Sequence, residues 1–141
     1  MDIERIHKAL TGGETTRVEF KSCRDKVSNS VYDTVCSFSN HSGGLIILGF
    51  DDDMNLIGVN KNASVNLKKN IINTLGNKEV FFPKLTIEPE IEEYDGKTII
   101  VIDVPVSQYP VRYKNKYFDR VGDADMDITD NMELVLGLFE R

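Results

Sequence analysis

The stretch from Tyr32 to Asp53, YDTVCSFSNHSGGLIILGFDDD, constrains the fold most strongly. Val31, Tyr32, Val35 and Phe38 recur at spacings of three and four, which predicts a helix with one apolar face. Asn40-His41-Ser42-Gly43-Gly44 stops that helix, because glycine enters the left-handed turn at its end and the polar residues meet free carbonyls. Leu45-Ile46-Ile47-Leu48 is then an unbroken apolar run, the pattern of a strand covered on both faces. Gly49 leaves it, and Asp51-Asp52-Asp53 opens an acidic turn.

The rest of the chain reads as elements around this centre. Residues 2–10 predict a short helix, with Ile3, Ile6, His7 and Leu10 on one face. Residues 14–21, ETTRVEFK, alternate as a strand that turns Val18 and Phe20 to the core and Arg17, Glu19 and Lys21 away from it. Ser28 or Asn29 caps the central helix. Residues 55–59 read as a strand paired with the 45–50 run through a hairpin at 51–54. A helix over 62–75 turns Val65, Leu67, Ile71, Ile72 and Leu75 mostly inward, and Phe81-Phe82-Pro83 is a loop plugging a core edge. Residues 85–94 and 98–104 make a strand pair across Asp95-Gly96. Val111-Arg112-Tyr113 and Tyr117–Arg120 make a small hairpin across 114–116, residues 122–125 a turn, and Thr129 caps a last helix to Glu140.

At 141 residues, with 40% apolar and 28% charged, the chain is expected to be one globular domain. No run approaches the roughly 20 apolar residues of a membrane span, so no membrane partner is expected. Cys23 and Cys36 lack metal-ligand spacing and read as reduced thiols, with a cytoplasmic setting as the default. A formal charge of −6 repels phosphate, so any nucleic-acid contact must come from a local basic patch.

Glu14 with Val18-Glu19-Phe20-Lys21, Val35–Asn40 with Gly43-Gly44, Leu48-Gly49-Phe50-Asp51-Asp52, Ile57-Gly58 and Tyr117-Phe118-Asp119-Arg120-Val121-Gly122 occur in one order along the chain. Together they resemble the Schlafen AlbA_2 family, also called divergent AAA-4, a DNA-binding domain family. The resemblance implies an α+β fold, a mixed β-sheet flanked by helices, spanning 1–141, and raises the expectation that the chain is the N-terminal part of a longer regulator. Ser37 and Ser39 stand where the family usually has alanines, Phe50 where valine is commoner and Asp123 where serine is more usual.

Two constellations carry chemistry. Arg112, Tyr113, Lys114, Lys116, Tyr117 and Arg120, with Lys21 in support, combine cations that follow phosphates with aromatic faces that stack on bases. Lysines on an edge hairpin also deter sheet aggregation, which is the structural reading of the same residues. Glu14, Glu19 and Asp51 or Asp52 match the places of an acidic triad in eukaryotic Schlafen nucleases. Glu14, Glu19 and Asp51 would hold Mg²⁺ or Mn²⁺ and activate water, whereas a structural role pairs Glu19 with Arg17, Lys21 or Arg120. No G-x-x-x-x-G-K-[ST] occurs, so no nucleotide triphosphate and no ATPase chemistry are expected.

The leading expectation is a nucleic-acid-binding domain, DNA before RNA, of a transcriptional regulator without a cofactor. A metal-dependent endoribonuclease is the alternative. An oligomerisation or protein-interaction module, with Phe81-Phe82 exposed, is the third.

Overall fold

A strand that is apolar on both faces needs cover above and below, and the run Leu45–Leu48 obtains it. In the computed structural model, which describes residues 3–12 and 17–141, β2 (Gly44–Leu48) lies inside a four-stranded sheet. β1 (Val18–Lys21) runs parallel along one edge of it, β5 (Lys97–Val104) antiparallel along the other, and β4 (Glu90–Tyr94) completes the order β1-β2-β5-β4. One face of this sheet, with Phe20, Leu45, Ile47, Ile99 and Val101, packs on Ile6 of α1 (Ile3–Gly12). The other, with Ile46, Leu48, Ile100 and Ile102, meets α2 (Asn29–Asn40) and α3 (Ser64–Leu75).

A second sheet lies beyond α2. Its strands are β3 (Phe81–Phe82), β6 (Arg112–Tyr113), β7 (Lys116–Val121) and β8 (Ala124–Asp127), all antiparallel in the order β3-β6-β7-β8. α2 packs against strands of both sheets, so its polar residues Thr34, Ser37, Ser39 and Asn40 are buried along with its apolar ones. A helix enclosed on two sides must satisfy those groups internally. Asn40 does so completely: its Nδ2 donates to the carbonyls of Val111 and Phe118, both at 2.8 Å, and its Oδ1 accepts from the Val111 amide at 2.7 Å. The helix end is thereby tied to β7 and to the residue that leads into β6. Helix α4 (Met132–Glu140) closes the described chain.

The double glycine has two separate causes. Gly43 sits at φ +74°, where an added Cβ would lie 2.7 Å from the Val104 carbonyl. Gly44 passes so near Phe38 that a Cβ there would lie 2.5 Å from the ring. The turn therefore admits no side chain, and Phe38 is fully buried against it.

The α+β reading holds, as do the 85–104 turn at Asp95-Gly96 and the 112–121 hairpin. Several boundaries differ. Residues 55–59 form no strand beyond one bridge, Phe50 to Leu56, because both edges of β2 are already occupied. The backbone instead folds at Gly49 and Gly58, both at positive φ, and Val59 donates to the Thr98 carbonyl of β5. The strand expected over 85–94 begins only at Glu90, after Pro89, which has no N–H for a ladder. In α3, Leu67, Ile71 and Leu75 point inward, but Val65 and Ile72 are exposed. Thr129 receives the Tyr117 amide and donates to Asp127; Asn131 caps α4. Phe81 plugs the core, within β3 rather than a loop, which corrects the exposure expected of the Phe81-Phe82 pair: only Phe82 is exposed.

Both cysteines are unpaired and buried. Burial, with Asp25 nearby, pushes the Cys23 thiol up to about 11, and burial pushes Cys36 up to about 12.

Replacing Asn40 with Ala strands two carbonyls and one amide in the core. Urea unfolding of Asn40→Ala is expected to show a loss on the order of 3 kcal/mol, at about 1–3 kcal/mol per orphaned group with partial relaxation. A loss under about 0.5 kcal/mol, the usual range of surface changes, would show that Asn40 does not lock α2 to the second sheet.

Candidate nucleic-acid interface

The hairpin at the centre of the second sheet turns at Lys114 and Asn115, which have φ of +49° and +65°. Two successive left-handed residues between paired Tyr113 and Lys116 make the two-residue loop that matches strand twist. Lys116 thus belongs to β7, and both lysines flank a tightly defined tip. Strand alternation then divides the expected site residues into three groups.

Lys114 and Lys116 stand exposed at the tip, on the side of the α2 N-terminus. They line a cavity of about 290 Å³ with Asn29, Asp33, Tyr113 and Phe118. Lys21 joins them: it, Lys116 and Lys114 all act on the charge of Asp33. Burial, then the Asp125 charge, nevertheless holds the Asp33 carboxyl above its ordinary range, and the three lysines only partly offset this. Lys21 also lies 3.6 Å from Glu19, and Lys116 3.9 Å from Asp127.

Arg112 and Tyr117 are directly paired across β6 and β7 and face outward, away from α2. The Arg112 guanidinium lies over the Phe82 ring, 5.2 Å from its centroid, and Tyr117 meets Phe139 edge-on at 6.0 Å.

Tyr113 and Arg120 are interior, which corrects the expectation that both meet a ligand. The Tyr113 ring stacks on Phe81 at 4.9 Å within the core, and its hydroxyl donates to Asn29. No base can reach that face. The Arg120 side chain is 1% exposed. It donates to Glu19 at 2.8 Å and to Asp125 at 2.7 Å, and its guanidinium lies 4.8 Å from the Phe38 ring centroid. Burial works against its charge, but the hydrogen bonds it donates to Glu19 and Asp125 outweigh that and raise its pKa. Asp125 also accepts from the hydroxyls of Thr34 and Ser37, each at 2.5 Å. This cluster joins β1, α2, β7 and β8.

Asp125, Thr34 and Ser37 were not legible as partners, because residues 122–125 read as a turn. β8 has no apolar alternation; a directly opposed charge pair, Arg120 and Asp125, holds it. The Gly122-Asp123 dipeptide between paired Val121 and Ala124 is a two-residue hairpin signal that would have found it.

Of the acidic constellation, Glu14 lies outside the described residues. Glu19 pairs with Arg120 and Lys21. Asp51 caps its own turn, accepting the amides of Asp53 and Asn55 and the Asn55 side chain, and the Asn55 amide foremost holds its carboxyl below the ordinary range. Asp52 is exposed in that turn. Among the described residues no three His, Cys, Asp or Glu side chains are grouped closely enough to hold a metal ion. No helix among them is long and apolar enough to cross a membrane.

Arg120→Ala leaves the Glu19 and Asp125 carboxylates without their guanidinium in a mostly buried site. Urea unfolding is expected to show a loss of about 3–5 kcal/mol. Arg120→Lys recovers only part of it, since an ammonium cannot serve both carboxylates in the fork geometry. Wild-type stability in Arg120→Ala would contradict a structural role.

The fold and the motif residues have counterparts. Among solved structures, the DIP2311 protein of Corynebacterium diphtheriae superposes with a TM-score of 0.64 at 17% identity, over 89% of this chain and 29% of that one. The chain thus spans under a third of that protein. The N-terminal domain of an ATP-dependent DNA helicase RecG-related protein from Nitrosomonas europaea gives a TM-score of 0.62 at 23% identity, over 87% of this chain and 90% of that one. No curated protein matches the sequence. The family model described as Schlafen, AlbA_2 matches residues 14–129, a span holding both sheets and the Arg120 cluster; the chain belongs to the Schlafen AlbA_2 family.

Proposed function

We propose that this domain binds nucleic acid, DNA in the leading case, as the contacting module of a cytoplasmic transcriptional regulator. The observation that carries the reading is the hairpin tip, where Lys114 and Lys116 stand exposed on a conformationally defined turn. Concentrated cations of this kind offset a formal charge of −6 locally. Membership of the Schlafen AlbA_2 family supports it, and so does the shared fold of a domain from a DNA helicase RecG-related protein.

The contact set is narrower than the sequence suggested. Lys114 and Lys116, with Lys21 of the first sheet in support, face a phosphate backbone from one side, and Arg112 faces it from the outer face of the second sheet. Arg120 stays inside. The competing endoribonuclease reading requires Mg²⁺ or Mn²⁺ to take Glu19 from Arg120 and Asp51 from its own turn. Added Mn²⁺ is therefore expected to leave bound RNA intact on a gel; metal-dependent cleavage lost in Glu19→Gln would restore the nuclease.

Binding is expected to weaken linearly in log affinity against log salt, and Lys114→Glu or Lys116→Glu should flatten that slope. Affinity should rise as pH falls, because the raised pKa of Asp33 lets it take up a proton early and so removes one of the negative charges facing the three lysines. Asp33→Asn should match the low-pH affinity at neutral pH and flatten the profile. Fluorescence anisotropy at two salt concentrations and several pH values reads all three effects. Affinity indifferent to salt and to both lysine reversals would remove the proposal.

A further inference from the structure

The outer face of the second sheet carries side chains that the core does not need. Phe82 and Arg112 are directly opposed across β3 and β6, and Arg112 and Tyr117 across β6 and β7. Register alone therefore sets Phe82, Arg112 and Tyr117 in one row on this face. Their chain neighbours Phe81 and Tyr113 are buried on the inner face, so the row exists by alternation and not by core packing.

Two further aromatics extend the row into a groove. Tyr109, from the loop before β6, and Phe139, from α4, join Phe82, Arg112 and Tyr117 around a space of about 470 Å³. Phe82, Tyr109 and Phe139 are 54%, 67% and 58% exposed. Four aromatic side chains turned to solvent around one guanidinium are unusual where large apolar groups are normally covered. A polar cleft lined by Lys78, Glu79, Phe82, Arg112 and Asn115 shares two residues with the groove and continues to the hairpin tip. Arg112 thus stands where the aromatic groove meets the cationic edge. Asp119 follows Tyr117 on the same face, and His41 approaches it at 3.2 Å.

We propose that this groove holds unpaired nucleobases, so that the domain prefers single-stranded nucleic acid over duplex. The proposal rests on the nucleic-acid reading above and adds the form of the ligand. Base faces are accessible only when unpaired, and stacking on Phe82, Tyr109, Tyr117 or Phe139 tolerates any base. Arg112 meets the adjoining phosphate or stacks on a base plane. The strand then runs along the cleft past Lys78 to Lys114.

The test compares a fluorescent oligothymidine, an abasic strand of equal length and a duplex of the same length, all by anisotropy in low salt. The abasic strand keeps the phosphates and lacks the stacking faces. Wild-type protein is expected to bind oligothymidine at least about tenfold more tightly than the abasic strand, since each stacked base contributes about that much. Tyr109→Ala/Phe139→Ala should move oligothymidine binding toward the abasic level, leave abasic binding unchanged and keep the wild-type melting temperature. Lys114→Glu should weaken all three ligands. Equal binding of oligothymidine and abasic strand, with Lys114→Glu still weakening both, would overturn the base groove and leave the nucleic-acid reading standing. Absence of any binding would overturn both. Light scattering that shows a dimer lost in Tyr109→Ala/Phe139→Ala, with strand affinity unmoved, would give the groove to a second copy of the chain and overturn the proposal.

Discussion

Everything in this domain depends on one buried guanidinium. Arg120 bridges an edge strand of the first sheet, through Glu19, and an edge strand of the second, through Asp125. Between them α2 contributes the Phe38 ring beneath the guanidinium and the Thr34 and Ser37 hydroxyls on Asp125. Removing such charges from water is costly, and the cost is offset only when each is paired and hydrogen-bonded. The cluster meets that condition, and among the described residues no buried side-chain nitrogen or oxygen lacks a partner. Gly44 belongs to the same device, since it gives Phe38 the room to serve as the platform.

With Arg120 committed to the interior, the remaining cations of the second sheet separate by strand alternation. One set, Lys114 and Lys116, acts with Lys21 of the first sheet on the charge of Asp33 in α2. Arg112 lies on the opposite face among exposed aromatic rings. The proposed interface therefore wraps the tip of the central hairpin, with charge on one side and stacking surfaces on the other. The type I′ turn at Lys114-Asn115 is the corner between them. Rigidity at that corner matters, because side chains already held in position lose little further freedom on binding.

Sequence periodicity made the centre of the first sheet legible, since Leu45–Leu48 and Thr98–Val104 are apolar runs bounded by turn residues and Asp95-Gly96 is a strong hairpin signal. It also made the hairpin at 112–121 legible. It failed wherever a strand is held by something other than apolar alternation. β8 exists because Asp125 opposes Arg120, and residues 55–59 are displaced because β2 has no free edge. The site residues divide the same way. Lys114 and Lys116 could be read from composition and turn chemistry. The burial of Tyr113 and Arg120 could not, because it follows from a second sheet closing over α2, which no local pattern encodes. Ser37, which stands where the family usually has alanine, is a hydrogen-bond donor to Asp125.

In the proposed interface a structural arginine and a ligand-binding surface lie on one short strand and do not overlap. A single nitrogen-15 NMR titration of the chain with a short oligothymidine in low salt tests it, with the Arg120 Nε–H resonance followed alongside the backbone amides. The account predicts shifts at residues 112–117 and at Lys21, Phe82 and Tyr109. Over the same titration the Arg120 Nε–H is expected to stay slow-exchanging and unmoved. Shifts centred on Arg120 and Glu19, with the hairpin tip unaffected, would contradict it.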